Sequence, residues 1–466
     1  MKISFIGAAG TVTGSRTQID CNGDLYWIDC GLFQGPKEIR NQNWSPLENT
    51  KSLKAVILTH AHIDHSGMLP LLVKQGFRGP IYCSEATAEL CRILLPDSGY
   101  LQEEDAKFAN MKKYSRHNPA LPLYTQADAI RCLEYLTPQK SDTWIPLGKG
   151  LRFRLSRSGH ILGSSFVEIG YDHHELNRIL TFSGDLGPPN SFLLKEPNHM
   201  FETDELVLES TYGDRTHEKG DRLLQLKNVI NKVLPRDGTL IIPAFSVGRS
   251  QELLFMIHQL EKNNEINKYP VYLDSPMALD ATELYRKYED ELKPEILHNG
   301  FISPLVTARF QPVRSADESM LLCMNDSPKI VISAAGMLTG GRVLHHLKMR
   351  LPDPKNGVLF VGYQVPGSKG YLVKNGLSKI RIHHQEIDIE AEIFSMDSMS
   401  AHADSDQILE WLSKFRKKPS RIFLNHGEDI ARQTLSYRIQ HELGITCEIP
   451  CCAQSFELGR TSNEFK

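Results

Sequence analysis

The stretch His60-Ala61-His62-Ile63-Asp64-His65 contains four potential metal ligands in six consecutive positions. The apolar residues 55–58 before it predict a buried strand, and residues 66–74 after it predict a helix. The ligands therefore lie in a strand-to-helix turn, where their side chains can converge on one point. Imidazole and carboxylate groups suit zinc and its first-row neighbours, and a mixed histidine and aspartate set can hold two ions. A helix-capping turn would explain one such residue, but it does not explain four.

Further polar residues occupy the same kind of position, because each comes just after a short segment with the pattern of a strand. They are Asp29, His160, Asp185 and His426. Taken singly, each residue is better explained as an ordinary turn residue. Taken together, they predict that the ligands gather at one edge of one sheet, which is where open α/β folds place their functional sites.

The composition is that of an ordinary globular protein, with 41% hydrophobic residues and a mean hydropathy of −0.31. At 466 residues the chain is long for one domain and suits two. The nine cysteines form no Cys-x-x-Cys pair, which predicts reduced thiols in a cytoplasmic protein. No apolar run approaches the roughly 20 residues that cross a bilayer, so no membrane association is expected. With a formal charge of −3, a polyanionic substrate must be met by local positive groups.

Strand-like and helix-like segments alternate from about the middle of the chain, with short glycine-containing turns between them. Such alternation predicts a parallel, doubly wound sheet. This region contains no ligand candidate, although the chain later returns to such residues at His402 and His426. We therefore predict an inserted domain at residues 209–393, flanked by the two parts of a first domain at residues 1–208 and 394–466.

The order Asp29, His60-x-His62-x-Asp64-His65, His160 and Asp185 resembles that of the metallo-β-lactamase fold hydrolases. Three further motifs resemble those of the β-CASP nucleases, the group of RNase J and the cleavage and polyadenylation specificity factor nuclease. These motifs are Leu-Glu-Ser-Thr-Tyr-Gly at 208–213, Ser-Ala-His-Ala-Asp at 400–404 and Asn-His-Gly-Glu at 425–428. The resemblance covers nearly the whole chain. It implies an α/β protein, namely a metallo-β-lactamase αββα sandwich with an inserted doubly wound parallel α/β (β-CASP) domain.

The resemblance implies a site for two zinc ions per chain, with manganese as the alternative metal. The implied ligands are His60, His62, His160 and Asp185 for one ion, and Asp64, His65, Asp185 and His426 for the other. Asp185 would bridge the ions, because a carboxylate has an oxygen for each metal. Asp29 would not bind a metal but would orient a ligand histidine through a hydrogen bond.

The implied activity is that of a two-metal-ion ribonuclease that hydrolyses phosphodiester bonds of single-stranded RNA, with a metal-bridging hydroxide as nucleophile. Asp64 belongs to the implied catalytic residues. His402 would be the general acid, and Glu209 would keep it protonated and oriented. Spacing cannot pair them, because 193 positions separate Glu209 from His402. From the residues alone, Glu209 is better explained as a surface acid and His402 as the start of a helix.

Three glycine-containing turns precede predicted helices of the insert and also match the family. Backbone N–H groups at a helix start bind phosphate, so these turns predict contacts with the substrate backbone. The candidate residues are Ser246, Arg249, Ser333, Gly336, Arg342, Gln364 and Ser368. The match is incomplete at the third turn, where Tyr371 replaces an expected arginine and Lys369 supplies the nearest positive charge.

Several alternatives remain open at this point. A DNA nuclease of the same superfamily is less favoured, because that branch typically lacks a histidine at the motif that contains His426. A small-molecule metallo-hydrolase would explain the metal ligands but not the inserted domain, Glu209 or His402. An inactive RNA-binding or scaffold subunit would be expected to have lost metal ligands. The sequence does not decide between endonuclease and 5′→3′ exonuclease modes, or between a monomer and a homodimer.

Overall fold

The computed structural model describes residues 1–113, 115, 117–173, 176–200, 202–218, 220–297, 303–365 and 367–459. The chain divides into two compact units. Unit 1 consists of Met1–Pro189, Glu196–Thr216 and His402–Lys466, and unit 2 consists of Asn190–Lys195 and His217–Ala401. The main segment of unit 2 begins and ends eight residues later than the predicted insert, at 217 against 209 and at 401 against 393. The predicted domain borders stay a prediction.

Two seven-stranded sheets are found among the described residues of unit 1. The strands of the first sheet are β1 (Lys2–Phe5), β2 (Thr17–Cys21), β3 (Asp24–Ile28), β4 (Leu53–Ile57), β5 (Ile81–Ser84), β6 (Leu136–Gln139) and β22 (Ser455–Glu457). Those of the second sheet are β7 (Ile145–Gly148), β8 (Leu151–Arg157), β9 (Ser165–His173), β10 (Leu176–Phe182), β11 (Glu205–Glu209), β20 (Arg421–Asn425) and β21 (Cys447–Glu448). The spatial orders are β22-β1-β2-β3-β4-β5-β6 and β21-β20-β11-β10-β9-β8-β7.

The α-helices of unit 1 are α1 (Lys37–Arg40), α2 (Ile63–Ser66), α3 (Leu69–Lys74), α4 (Glu85–Lys112), α5 (Gln126–Cys132), α13 (Ser405–Ser413) and α14 (Asp429–Arg438). Short 3-10 helices cover Asn41–Trp44 and Leu133–Tyr135, and a π-helical turn covers Ile439–Leu443. The helix predicted at 66–74 is split into α2 and α3. Pro70 explains the break, because a proline has no N–H with which to continue the helical hydrogen bonds.

The two sheets of unit 1 pack face to face. Along β8, Leu151, Phe153 and Leu155 are buried, whereas Arg152 and Arg154 between them are partly exposed. Alternate residues of a strand point to opposite faces, so one face of the sheet is apolar. A shared core joins both sheets and includes Ile3, Phe5, Ile28, Ile57, Phe153, Val167, Phe182 and Phe423. With α13 and α14 against the second sheet and α4 against the first, this is the predicted αββα sandwich.

Unit 2 contains a six-stranded parallel sheet with the order β14-β13-β15-β12-β16-β19, together with the hairpin of β17 and β18. The strands are β12 (Thr239–Pro243), β13 (Val271–Asp274), β14 (Phe310–Pro312), β15 (Lys329–Ser333), β16 (Gly357–Val361), β17 (Lys379–Ile382), β18 (Gln385–Asp388) and β19 (Glu392–Met396). The α-helices are α6 (Arg222–Val233), α7 (Arg249–Lys262), α8 (Pro276–Lys287), α9 (Pro294–Leu297), α10 (Ala316–Met324), α11 (Val343–Arg350) and α12 (Lys369–Lys374). Short 3-10 helices cover Leu234–Arg236 and Glu289–Glu291.

Both faces of the parallel sheet are covered, as the sequence predicts for a doubly wound domain. In β12, Leu240 and Ile242 pack into a core with α6, α7 and α8. Ile241, between them, packs into a second core with α10, α11 and α12. A strand that is buried on both faces is apolar without alternation, which is the pattern that its sequence shows. Within the described ranges, no helix of the chain is both long and apolar enough to cross a membrane.

The prediction that the ligands gather at one edge of a single sheet is wrong. Asp29 and His60 follow strands of the first sheet, whereas His160, Asp185 and His426 follow strands of the second sheet. Strand ends of both sheets meet at one end of the sandwich because the sheets pack face to face. Periodicity identifies a strand end but carries no information about the sheet to which the strand belongs.

Candidate metal centre

A first cluster of donor atoms is formed by His60, His62, His160 and Asp185, whose ligand atoms all lie within 4.8 Å of one another. The Nδ1 atom of His62 lies 3.2 Å from Nε2 of His60 and 3.1 Å from Nε2 of His160. The Oδ2 atom of Asp185 lies 3.4 Å from the same nitrogen of His60 and 3.3 Å from that of His160. Three imidazole nitrogens and one carboxylate oxygen therefore converge on one point.

A second cluster contains Asp64, His65 and His426, again with ligand atoms within 4.8 Å of one another. The Nε2 atoms of His65 and His426 are 3.1 Å apart, and Oδ2 of Asp64 lies 3.7 Å from Nε2 of His426. The Oδ1 atom of Asp185 lies 3.2 Å from Nε2 of His65 and 3.5 Å from Nδ1 of His426. The two oxygens of Asp185 thus face different clusters.

Burial determines the charge state of the first cluster. It lowers the pKa of His62 to about 3, and it lowers the pKa values of His60 and His160, so these imidazoles are neutral near pH 7. Neutral imidazole is the form of histidine that binds metals. Burial alone would raise the pKa of Asp185, but the neighbouring His65 and other histidines outweigh it and hold this pKa well below its usual value.

The donor set fits a pair of cations. Among the described residues, the buried Oδ1 atom of Asp185 has no hydrogen-bond donor. A buried carboxylate oxygen without a donor costs free energy unless another positive group satisfies it. Nitrogen and oxygen donors without cysteine are typical of catalytic zinc or manganese sites and differ from structural zinc sites built on thiolates.

Asp29 orients one of the ligand histidines. Its Oδ2 atom lies 2.7 Å from Nδ1 of His65, which leaves Nε2 of that ring directed towards the second cluster. Its Oδ1 atom accepts a hydrogen bond of 2.8 Å from the backbone N–H of Thr59, and Ser15 donates to Oδ2 at 3.2 Å. A carboxylate in this position fixes both the ring orientation and the tautomer of a ligand histidine.

The structure brings Glu209 and His402 together within unit 1. The Nδ1 atom of His402 lies 3.0 Å and 3.2 Å from the two carboxylate oxygens of Glu209, which is buried. Burial lowers the pKa of His402, but the carboxylates of Glu209 and Asp185 outweigh it and raise this pKa to about 9. The ring of His402 lies 4.5 Å from that of His160, measured between centroids. A protonated imidazole therefore lies next to the first cluster.

Sequence reasoning missed two residues that shape this site. Thr59 precedes the ligand stretch, and its hydroxyl lies 3.0 Å from both oxygens of Asp29 and from Nδ1 of His60. Gly31 permits a close approach, because a Cβ atom there would lie 1.6 Å from the carbonyl oxygen of Asp64. Adjacency to the ligands could have identified Thr59. Nothing in the local sequence indicates the contact that requires Gly31.

The predicted substrate-binding residues all lie in unit 2, at turns between strands and helices. Arg249 is buried at the start of α7, where its guanidinium pairs with Glu252. Arg342 donates hydrogen bonds of 2.8 Å to Asp274 and to the carbonyl of Arg314. These guanidinium groups are therefore engaged inside the unit, and their role towards a substrate stays a prediction.

The smaller residues of these turns make similar internal contacts. The hydroxyl of Ser333 donates to the backbone of Asp274, and the amide of Gln364 donates to the carbonyl of Gly336 at 3.2 Å. The hydroxyl of Ser246 lies 3.3 Å from that of Ser275. Ser368 caps α12 by accepting from the N–H of Tyr371. These contacts define the shape of the turns without showing what the turns bind.

Three family models match the chain. The "Beta-lactamase superfamily domain" matches residues 19–127, the "Beta-Casp domain" matches residues 250–372, and the "Zn-dependent metallo-hydrolase RNA specificity domain" matches residues 386–450. These matches fall on both units, and the third includes His402 and His426.

The chain is also similar to named proteins. It is 34% identical over 435 residues to Ribonuclease TTHA0252 from Thermus thermophilus, covering 92% of this chain and 94% of the relative. It is 30% identical over 443 residues to Transcription termination factor FttA from Methanocaldococcus jannaschii, covering 92% of this chain and 67% of the relative. A crystal structure of a protein of unknown function from Enterococcus faecalis aligns with a TM-score of 0.55 at 14% identity, covering 98% of this chain and 99% of that one. This last match shows the fold alone.

Proposed function

Since the chain belongs to the β-CASP family of metallo-β-lactamase fold hydrolases, we propose that it is a metal-dependent ribonuclease that hydrolyses phosphodiester bonds of single-stranded RNA. The observation that carries the proposal is the position of the Glu209–His402 pair beside the two donor clusters. A site that only bound metal would not need a paired, protonated imidazole at its border. The relative from Thermus thermophilus, which is named a ribonuclease, supports RNA as the substrate.

The proposed ligands of one cation are His60, His62, His160 and Asp185, and those of the other are Asp64, His65, His426 and the second oxygen of Asp185. We propose zinc, with manganese as the alternative. Two divalent cations, when bound, lower the pKa of water and offset the negative charge that builds on a phosphodiester. Asp64 serves catalysis through this second ligand set.

His402 is the proposed general acid. Glu209 holds Nδ1, so Nε2 is the atom that donates a proton to the departing ribose oxygen. Glu209 has a second task, since its Oε1 also accepts a 2.7 Å hydrogen bond from the backbone N–H of Leu186. That bond fixes the carboxylate, and the fixed carboxylate positions the imidazole. Glu209 is therefore proposed as a positioning residue for proton transfer.

The substrate backbone is proposed to meet the turns of unit 2. Exposure ranks the candidate side chains: Arg342 retains 24% exposure, whereas Arg249 retains 8%. Backbone N–H groups near Gly336 and Ser368 need no free side chain to bind a phosphate.

All nine cysteines are free thiols, which supports the proposed cytoplasmic location. Whether the protein is a monomer or a homodimer stays a prediction.

The test is product mapping on end-labelled single-stranded RNA and on DNA of the same sequence, with metal analysis of the same preparation. We expect cleavage of RNA, weak or no cleavage of DNA, about two transition-metal ions per chain and loss of cleavage after chelation. Cleavage of DNA in preference to RNA would show that the protein is instead a DNA nuclease of the same superfamily. Hydrolysis of thioesters or lactones with RNA left intact would overturn the proposal.

A further inference from the structure

A cluster of basic side chains lies on unit 2, and we call it the histidine–lysine patch. Its members are His345, Lys348, Lys369, His383 and His384. The rings of His345 in α11 and His383 in the β17–β18 hairpin are 4.5 Å apart between centroids. Lys348 follows His345 by one helical turn and so lies on the same side of α11. The three histidines are exposed, and the two lysines are partly exposed.

The hairpin that carries two of these histidines has an unusual turn. His383 and His384 both adopt the left-handed conformation, with φ of 46° and 66°. Two-residue turns of this kind favour Asn-Gly, Asp-Gly and Gly-Gly, and histidine is one of the few other residues enriched at positive φ. The turn therefore places two imidazoles at the exposed tip of the hairpin.

The patch has a surplus of positive charge. Within the hairpin, Lys379 pairs with Asp388 at 3.1 Å and Arg381 faces Glu386 across the strands. Among the described residues, by contrast, no carboxylate lies within ion-pair distance of either patch lysine. The whole chain has a formal charge of −3, so this surplus is local.

The positive charge of the patch also affects the pKa of His383. Burial and then the neighbouring His345, Lys348, Lys369 and His384 all lower the pKa of His383. The neutral imidazole of His383 presents a flat ring next to positive charges. This combination is the one that single-stranded nucleic acids meet in their binding proteins, where bases stack on rings and phosphates contact cations.

We propose that the histidine–lysine patch is an RNA-binding surface of unit 2 that extends the turn of Ser368, where Lys348 and Lys369 contact phosphates and the imidazoles of His345 and His383 stack on bases. The proposal rests on the proposed function, because it assigns the same substrate class to further residues of unit 2. Its effect is on the affinity for long RNA and not on the chemical step.

Two variants test the patch in the full-length chain. Lys348→Gln removes one charge, and His383→Asn/His384→Gly replaces the rings with the pair that such a turn prefers, so the hairpin is retained. The matched control is Lys379→Gln, which removes the same charge from a lysine already paired with Asp388. Cleavage of RNA of about 30 nucleotides is measured to give kcat and KM. Binding of this RNA is measured by fluorescence anisotropy in a His402→Ala background at several salt concentrations.

Each patch variant should raise KM for the long RNA about tenfold, with kcat unaffected. The lysine variant should also reduce the salt dependence of binding by about 0.7 in slope, from the loss of one phosphate contact. The control should change neither value by more than about twofold. Unchanged affinity in both patch variants overturns the proposal, as does a patch that binds poly-glutamate but not RNA. If the parent protein does not cleave RNA at all, the proposed function fails, while anisotropy still decides whether the patch binds RNA.

Discussion

Strand ends carry polar side chains in both units, but these side chains meet different partners. At the sandwich end of unit 1, imidazoles face imidazoles and a buried oxygen of Asp185 lacks a donor among the described residues. At the turns of unit 2, Arg249 pairs with Glu252, and Asp274 pairs with Arg342 and His346. Polar groups that the protein satisfies by itself stabilise a fold. Groups that it leaves unsatisfied can bind something from outside, and among the described residues they include Oε1 of Gln364 at a turn of unit 2 as well as Oδ1 of Asp185.

The largest effect is expected at the residue that joins the two clusters. Asp185→Ala should remove one ligand from both sets of metal ligands at once, so bound metal and RNA cleavage should fall below detection. Elemental analysis measures the metal, and a cleavage assay measures the activity. The control is Asp317→Ala, at an exposed position of unit 2. Full metal content in Asp185→Ala would contradict the assignment of Asp185 as the shared ligand.

A smaller loss is expected at the proposed general acid. His402→Ala should slow RNA cleavage about 10²–10⁴-fold, the usual contribution of acid–base catalysis, and should leave metal content unchanged. Glu209→Gln should slow cleavage less, because the imidazole remains but loses the carboxylate that raises its pKa. Single-turnover rates with saturating enzyme separate this effect from RNA binding. Equal rates in His402→Ala and the parent protein would remove His402 from the mechanism.

Removing a polar contact of unit 2 should lower the free energy of unfolding and leave the metal content unchanged. Asp274→Ala leaves Arg342, His346 and Ser319 without their shared acceptor. Breaking a buried charged pair in this way costs about 3–5 kcal/mol of unfolding free energy. Denaturant unfolding measures the loss, and elemental analysis should find the parent amount of metal. A variant that is fully stable but metal-free would reverse the contrast between the units.

The smallest effect is expected at Thr59, which contacts the residues around the metal centre but is not itself a proposed metal ligand. Thr59→Val removes the hydroxyl that contacts both oxygens of Asp29, while the backbone N–H of residue 59 still holds the carboxylate. Outer contacts of this kind change metal affinity about 10–100-fold. Competition with a chelator of known affinity measures the change. Thr211→Val, next to His426, is the comparison variant, since its hydroxyl lies at the longer distance of 3.3 Å from the ring.

Local patterns were sufficient for several of the elements and for the candidate ligands that follow them. Alternation at Leu151, Phe153 and Leu155 predicts β8, and strand–helix alternation with glycine-containing turns predicts the parallel sheet of unit 2. The stretch from His60 to His65 indicates a metal site, because no other role explains four such residues in one turn. The pairing of Glu209 with His402 came only from family resemblance. The burial of Arg249 was not foreseen, since an arginine in a glycine-containing turn looks exposed in sequence.

The amino-acid sequence by itself indicated several of the strands and helices and the polar side chains that follow them. The spacing of apolar residues and the chemistry of each side chain depend on a few neighbouring positions, so they can be read directly from the sequence. Only the tertiary structure decided that these strand ends come from two sheets and that Glu209 reaches His402 across 193 positions. It also decided which polar groups find partners. Those outcomes depend on packing between distant segments, where each contact exists only because the rest of the core is in place.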